Sequence, residues 1–152
     1  MGLIGKVIGQ TEIKSDGHLF YESWRYRPNQ ISYMSPGNMQ GVEIYEGEWG
    51  TVGCRMIWSY TFGGEKKVTR DIVEAVDDEK KSITWKLVEG SLLDLYKTMI
   101  ITVDVDTKGK SSVVTWTFEY EKLNEDVEDA NALVDFHLVM TKDIEAYHLR
   151  QK

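Results

Sequence analysis

From Gly37 onward, apolar and polar residues alternate in six short segments that are separated by turn-forming residues. A period of two is typical of strands that bury one face. The connections are as short as Gly63-Gly64, so consecutive strands are expected to pair antiparallel. This run restricts the chain to a fold built on an antiparallel meander. The predicted strands are Met39–Tyr45, Cys54–Phe62, Lys66–Val76, Ser82–Val88, Tyr96–Val105 and Ser112–Glu121.

The segment from Glu128 to Arg150 is predicted to form one long C-terminal helix. It lacks proline and glycine, and its apolar side chains recur at helical spacing. At about 1.5 Å per residue the helix is roughly 30 Å long, enough to cross a small domain. Asp129 near its start and Arg150 at its end suit the helix dipole. A curved sheet wrapped around this helix would bury it, which predicts an α+β fold.

Before the alternating region, the sequence predicts one more strand and two short helices. Leu3–Ile13 is rich in β-branched residues and alternates weakly, which makes it a seventh strand. The run Ser15–Gly17 offers an N-cap for a first short helix. Pro28 ends that helix or begins a second one. The apolar side of the first helix is predicted to carry Leu19, Phe20 and Trp24.

Length and composition exclude several classes of protein. The 152 residues fit one domain, residues 1–152, and no apolar run approaches the roughly 20 residues of a membrane span. A net charge of −7 disfavours nucleic-acid binding. Cys54 is the single cysteine, and His137 and His148 lie about 16 Å apart along the predicted helix, so no metal site or cofactor is expected. No secretory signal is visible, so the expected compartment is the cytoplasm.

The chain has five Trp, eight Tyr and four Phe, and about half of these aromatic residues lie on one face of the predicted sheet. Strand alternation places them there with adaptable methionines, although Ile57 and Ile100 break the pattern and leave their faces open. Such side chains either fill a dry core, which composition alone favours, or line a ligand cavity. We predict a cavity. Its predicted wall is Met56, Trp58, Trp85, Leu87, Met99, Ile101, Trp116, Phe118, Leu133, Phe136 and Met140.

Three side chains are candidates for proton transfer in such a cavity. His137 lies beside Phe136 on the helix face that should meet the sheet, and histidine exchanges protons near neutral pH. Tyr60 and Tyr120 would offer hydroxyl groups from the sheet. The alternative for His137 is a hydrogen-bonded pocket histidine. The acidic pairs Asp71 with Glu74 and Glu119 with Glu121 are given no role, and Cys54 is expected to be a small buried side chain.

Five motifs along the chain resemble the plant major latex protein group, which belongs to the Bet v 1 / pathogenesis-related class 10 superfamily. The resemblance covers essentially the whole chain in order. The superfamily's glycine-rich loop corresponds to Gly47, Gly50 and Gly53, here interrupted by Glu48 and Trp49, and we interpret it as a structural turn because carboxylate opposes a phosphate. The motifs are Gly2–Lys6, Ser35–Gly41, Glu46–Gly53, Val88–Gly90 and Trp116–Lys122.

The resemblance implies the helix-grip fold, also described as Bet v 1-like or START-like: a seven-stranded curved antiparallel sheet, two short helices and a long C-terminal helix around a hydrophobic cavity. It also implies binding of a small apolar or amphipathic plant metabolite in specialised metabolism or defence. A second function is a cofactor-free cyclase or isomerase for a reactive terpenoid, such as an iridoid, or an alkaloid intermediate. A third is a protein-interaction module using Glu46–Gly53 and an exposed Trp49. A weak homodimer or a pathway enzyme is a further expected partner.

Overall fold

The computed structural model describes residues 3–151, so the outer limits of the predicted domain and the first residue of the Gly2–Lys6 motif lie outside the described residues. Seven strands form one antiparallel sheet in the order β1-β7-β6-β5-β4-β3-β2. The order follows from the predicted meander, with the first strand added beside the last. The strands are β1 (Ile4–Ile13), β2 (Met39–Glu46), β3 (Arg55–Phe62), β4 (Glu65–Asp77), β5 (Ser82–Gly90), β6 (Tyr96–Lys108) and β7 (Ser111–Lys122).

Three α-helices accompany the sheet: α1 (Gly17–Arg25), α2 (Ile31–Met34) and α3 (Asn131–Arg150). The side chain of Asp16 caps α1 by accepting a hydrogen bond from the backbone N–H of His18 at 2.8 Å, as the sequence indicated. Pro28 begins a short 3-10 turn that leads into α2. A second such turn, Ser91–Asp94, joins β5 to β6. The predicted α+β fold with two short helices and one long one is confirmed.

Two details of the helices differ from the predictions. Leu19 is 42% exposed, because the buried side of α1 passes through Phe20, Tyr21 and Trp24 instead. Helix α3 begins at Asn131 and not at Glu128. Asp129 therefore precedes the helix, where its carboxylate accepts hydrogen bonds from side chains of β7.

Strand alternation places side chains on the faces that the sequence predicts. In β7 every second residue from Ser112 to Tyr120 is buried. Ile57 and Ile100, whose faces the sequence left open, are half-buried on the outer face, beside the fully covered inner positions. The inner face of the sheet and α3 enclose the hydrophobic core.

Gly9 sets the distance between α3 and the edge strand β1. A Cβ atom at this position would overlap Cγ1 of Val134 and approach Cδ1 of Leu138 to 3.2 Å. Both of these side chains belong to α3. On the neighbouring strand, Gly9 lies across from Trp116. The helix can therefore rest directly on the backbone of β1, which fixes its height over the sheet.

Candidate functional site

A cavity of about 60 Å³ lies between the inner face of the sheet and α3. Strands β2 to β7 supply most of its wall, α3 supplies one side, and α1 and the 3-10 turn after β5 complete it. Most of the wall is aromatic or aliphatic, with a few buried polar groups. The lining residues are Trp24, Met39, Trp58, Tyr60, Thr69, Asp71, Trp85, Leu87, Leu92, Ile101, Trp116, Leu133, Phe136 and His137.

A larger hollow of about 620 Å³ lies beside the cavity, near the start of α3. Leu92 and Leu133 belong to the walls of both spaces, so the two spaces adjoin at these side chains. Leu92 lies on the short turn Ser91–Asp94, and Leu133 lies in the first turn of α3.

The structure brings nine of the fourteen sequence-predicted site residues to the cavity. Alternation identifies the face of a strand, but it does not say where along the face the packing leaves space. For that reason four predicted wall residues, Met56, Met99, Phe118 and Met140, are buried in the surrounding core and do not line the cavity. Those that line it are Trp58, Tyr60, Trp85, Leu87, Ile101, Trp116, Leu133, Phe136 and His137.

Tyr120 is the fifth predicted site residue that lies away from the cavity. Its hydroxyl donates a hydrogen bond to the carboxylate of Asp129 at 2.6 Å and accepts one from the backbone N–H of Ala130 at 3.3 Å. The ammonium group of Lys122 is 3.1 Å from the same carboxylate. Burial and the hydrogen bond to Asp129 raise the pKa of Tyr120 to about 12. These contacts attach the segment just before α3 to strand β7.

Four tryptophan rings meet at the cavity, and one of them was not among the sequence-predicted wall residues. Trp24 reaches over from α1 and lies with its ring centroid 5.0 Å from that of Trp116 and 5.9 Å from those of Trp58 and Trp85. The rings of Trp85 and Trp116 are stacked, and their centroids are 6.2 Å apart. The apolar side of α1 was visible in the sequence, but nothing there indicates that this side reaches the sheet cavity.

Asp71 is the main polar residue that sequence reasoning missed. It is 5% exposed on the inner face of β4, where it accepts a hydrogen bond from the indole N–H of Trp58 at 2.9 Å. Burial raises the pKa of Asp71 to about 8, against a smaller opposing effect of the Trp58 hydrogen bond. Strand alternation is the sequence signal for its burial. Thr69, Asp71 and Val73 are successive inward positions of β4, all three are buried, and the residues between them are more exposed.

His137 contacts the cavity from α3. Its Nδ1 lies 2.8 Å from the carbonyl oxygen of Leu133, which can only accept, so Nδ1 carries the proton. Burial lowers the pKa of His137 to about 4, so the ring is neutral at pH 7 and Nε2 is an acceptor. The ring lies 4.7 Å from the Trp116 centroid and 4.9 Å from that of Phe118. It keeps some accessible surface at this depth, because that surface faces the cavity.

Tyr60 and Thr69 form a hydroxyl pair in the same wall. Their oxygen atoms are 2.6 Å apart, and burial raises the pKa of Tyr60. Cys54 is fully buried near this side of the sheet, and burial together with the charge of Asp71 raises the pKa of its thiol. A thiol with a raised pKa is a poor nucleophile at neutral pH, which agrees with the expected packing role.

The loop between β2 and β3 has the geometry of a structural turn. Gly47, Gly50 and Gly53 have φ values of +88°, +79° and +93°, a region that side chains with a Cβ rarely adopt. Trp49, which the sequence analysis took as exposed, is partly buried and packs against the core. The loop therefore presents less apolar surface to a partner than the third functional hypothesis assumed.

Within residues 3–151, no three His, Cys, Asp or Glu side chains are grouped so that they could hold a metal ion. In the same part of the chain, no helix combines the length and the apolar character that crossing a membrane requires.

Known proteins are similar to this chain in sequence and in fold. Residues 3–151 match the pathogenesis-related protein Bet v 1 family. The chain is 40% identical over 145 residues to MLP-like protein 34 of Arabidopsis thaliana, which is 94% of this chain and 46% of that protein. MLP-like protein 31 of the same plant is 39% identical over 152 residues, 99% of this chain and 89% of that protein. The chain thus spans about half the length of the first relative and most of the second.

Two solved structures have a fold similar to that of this chain. The crystal structure of ginseng major latex-like protein 151 from Panax ginseng has a TM-score of 0.95 at 47% identity, over 97% of this chain and 99% of that chain. A truncated norcoclaurine synthase from Thalictrum flavum has a TM-score of 0.79 over 98% of this chain and 96% of that chain. Its identity is 22%, so this second likeness concerns the fold alone.

A seven-stranded antiparallel sheet that holds a long C-terminal helix over a cavity defines a helix-grip protein. The chain belongs to the Bet v 1 family, and the relatives named above are major latex-like proteins.

Proposed function

We propose that this protein binds a small apolar or amphipathic plant metabolite in the cavity, in specialised metabolism or defence. The observation that carries the proposal is the convergence of four tryptophan rings from α1, β3, β5 and β7 around a space that they do not fill. Large rigid rings offer extensive contact area to a ligand at little cost in conformational entropy. The proposal includes a cytoplasmic location and no cofactor, with a weak homodimer or a pathway enzyme as a further partner.

Ligand entry requires the cavity to widen. An apolar cavity of about 150 Å³ accommodates a benzene-sized molecule, so 60 Å³ is too small for a metabolite of ten carbons. We infer that a ligand gains the missing volume towards the adjoining hollow of about 620 Å³, which meets the cavity at Leu92 and Leu133. Burial of roughly 300 Å² of ligand at about 25 cal/mol/Å² is worth on the order of 7 kcal/mol before association costs. Micromolar affinity is therefore expected.

Filling the cavity should abolish binding. Ile101 lines the cavity, and we expect Ile101→Trp to weaken binding of the neutral apolar dye N-phenyl-1-naphthylamine by at least about tenfold, because the larger side chain occupies the ligand's space. The matched control is Ile100→Trp, one residue away on the outer face of the same strand, which should bind like the wild type. Dye fluorescence titration measures both. Equal affinity of Ile101→Trp and wild type would exclude the cavity as the binding site.

Catalysis without a cofactor is the second candidate function, and one arrangement favours it. His137, whose Nε2 is an acceptor, and Tyr60, whose hydroxyl pairs with that of Thr69, line the same cavity, so these two side chains are the candidates for proton exchange with a bound intermediate. The expected reaction is a cyclisation or isomerisation of a reactive terpenoid, such as an iridoid, or of an alkaloid intermediate. The cavity wall would hold the intermediate in one reactive conformer, which raises the reaction rate and favours one product.

Product ratios test this second function. If it holds, the wild type changes the product ratio of such an intermediate, and His137→Ala returns it to that of the protein-free reaction. Tyr60→Phe and Tyr120→Phe form a matched pair, because only the first hydroxyl lies at the cavity. Tyr60→Phe should alter the ratio, and Tyr120→Phe should leave it unchanged. A wild-type ratio identical to that without protein, measured by gas chromatography, would exclude catalysis for that intermediate.

A further inference from the structure

The cavity wall contains an acidic side chain with no cationic partner. Asp71 is the one Asp or Glu among the lining residues, and the described wall contains no Lys or Arg. The ion pairs seen within residues 3–151 do not involve Asp71. A buried, unpaired carboxylate is very costly, and burial accordingly raises the pKa of Asp71 to about 8. At neutral pH the group is a carboxylic acid.

The protonated carboxyl is a hydrogen-bond donor beside the cavity. Trp58 donates its indole N–H to one of the two oxygens of Asp71, so that oxygen acts as the acceptor. The proton then resides on the second oxygen, which makes none of the side-chain hydrogen bonds observed among the described residues. Asp71 thus offers an O–H group on the side of the wall formed by β3, β4 and β5.

Two further donors in the wall lack acceptors. The indole N–H groups of Trp85 and Trp24 are buried, and neither makes a hydrogen bond with a residue in the range 3–151. Both rings line the cavity, and the ring of Trp85 lies 6.3 Å from that of Trp58, the partner of Asp71. The two nitrogen atoms themselves are covered by neighbouring atoms, so a ligand reaches them only as the cavity widens. A buried donor without an acceptor destabilises the folded state, so a ligand that supplies an acceptor recovers that loss.

We propose that the cavity selects neutral ligands carrying a carbonyl or ether oxygen, which accepts a hydrogen bond from the Asp71 carboxyl with the Trp85 indole N–H as a second donor to the same ligand. This inference rests on the proposed function and adds the ligand class. Carboxylates are rejected, because the wall has no cation to pair with them and would force two acidic groups together. Hydrocarbons of the same shape bind more weakly, since they leave both donors unpaired.

Three probes built on the same six-membered carbon ring separate these cases: cyclohexanone, methylenecyclohexane and cyclohexanecarboxylate. We expect the ketone to bind about tenfold more tightly than the alkene, as one recovered hydrogen bond requires, and the carboxylate not to bind. Titrations followed by ¹H–¹⁵N NMR of the five indole N–H groups report the site directly. The Trp85 signal should shift with the ketone and much less with the alkene.

Variants of Asp71 distinguish a donor from a merely structural side chain. Asp71→Asn keeps an acceptor for Trp58 and an N–H donor for the ligand, so it should retain the preference for the ketone. Asp71→Leu removes the donor and should reduce the ratio of ketone to alkene affinity to near one. Trp85→Phe should reduce it several-fold while leaving Asp71 in place.

Equal ketone and alkene affinities in the wild type would overturn the inference and leave the proposed function intact, because the apolar probes still bind. Retention of the ketone preference in both Asp71→Leu and Trp85→Phe would also overturn it. If no small probe binds whereas N-phenyl-1-naphthylamine does, the ligand class is wrong and the binding function stands. Failure of the dye as well would overturn both.

Discussion

Replacement of Gly9 with alanine is expected to lower the free energy of unfolding by roughly 2–3 kcal/mol, a large effect for the addition of one methyl group. The new Cβ would overlap Cγ1 of Val134. Val134 is buried and β-branched, and such a side chain has essentially one rotamer in a helix, so it cannot turn away. Helix α3 would have to lift from β1 and give up part of its packing. Urea denaturation monitored by tryptophan fluorescence measures the loss.

Gly41→Ala is the matched control. Gly41 also lies in an edge strand, β2, and a Cβ atom there would meet nothing within 4 Å. Alanine should therefore be neutral or slightly stabilising at this position, because glycine weakens a strand. Equal effects of the two substitutions would mean that loss of glycine in an edge strand, and not contact with α3, determines the result. Gly9→Ala should also alter dye affinity, since α3 carries Leu133, Phe136 and His137.

The stability of the protein is expected to fall by about 2 kcal/mol between pH 6.5 and pH 8 because of Asp71 alone. The folded-state pKa of about 8 lies above the ordinary value of 3.8. Over the interval between these values the folded protein keeps a proton that the unfolded chain has released. The contribution is therefore complete below about pH 4 and is lost as the pH rises to about 8.

His137 acts in the opposite direction at lower pH. Its folded-state pKa of about 4 lies below the ordinary 6.5, so its contribution is present above pH 6.5 and is lost as the pH falls towards 4. Burial lowers the pKa of His148 as well, with the same sign. At pH 6.5 an unfolded histidine is still about half protonated, so each of these two groups changes the stability by at most about 0.4 kcal/mol between pH 6.5 and pH 8. In that window the contribution of Asp71 therefore exceeds that of the two histidines.

Asp71→Asn provides the comparison for this measurement. The amide keeps the acceptor for Trp58 and does not ionise, so the pH slope that belongs to Asp71 should disappear. The difference in unfolding free energy between variant and wild type should grow by about 2 kcal/mol from pH 6.5 to pH 8, measured by urea denaturation at several pH values. Parallel pH profiles would show that Asp71 is ionised in the folded protein at neutral pH.

The fold could be predicted from the sequence because its main signals are local and periodic. Alternation in β3, β5, β6 and β7 identified both the strands and their buried faces, and the spacing of apolar residues identified α3. The errors occur where a local pattern meets a tertiary contact. Leu19 fits the apolar side of an isolated helix, yet α1 packs through Tyr21 and Trp24. Asp129 fits a helix start, yet it binds Tyr120 and Lys122 before α3 begins.

The cavity could be predicted only in part, for a different physical reason. Side-chain parity says which residues face inward, but the position of empty space depends on how α3 and α1 are seated. Met56 and Phe118 satisfy the parity rule and still lie outside the wall. Asp71 was predicted to have no role, and its burial in β4 goes against the usual exposure of carboxyl groups. Its inward position is the feature on which the proposed ligand selectivity rests.

The wall of the cavity has one further property, which concerns its capacity to diversify. Five consecutive strands, β3 to β7, each place at least one side chain on it, for example Trp58, Asp71, Leu87, Ile101 and Trp116. The backbone ladders that join these strands do not depend on which side chains they carry. Substitutions at these positions can thus be combined while the scaffold persists, with Trp58 and Asp71 changed together because they share a hydrogen bond. A combinatorial library at these five positions would sample new ligand specificities on one unchanged architecture.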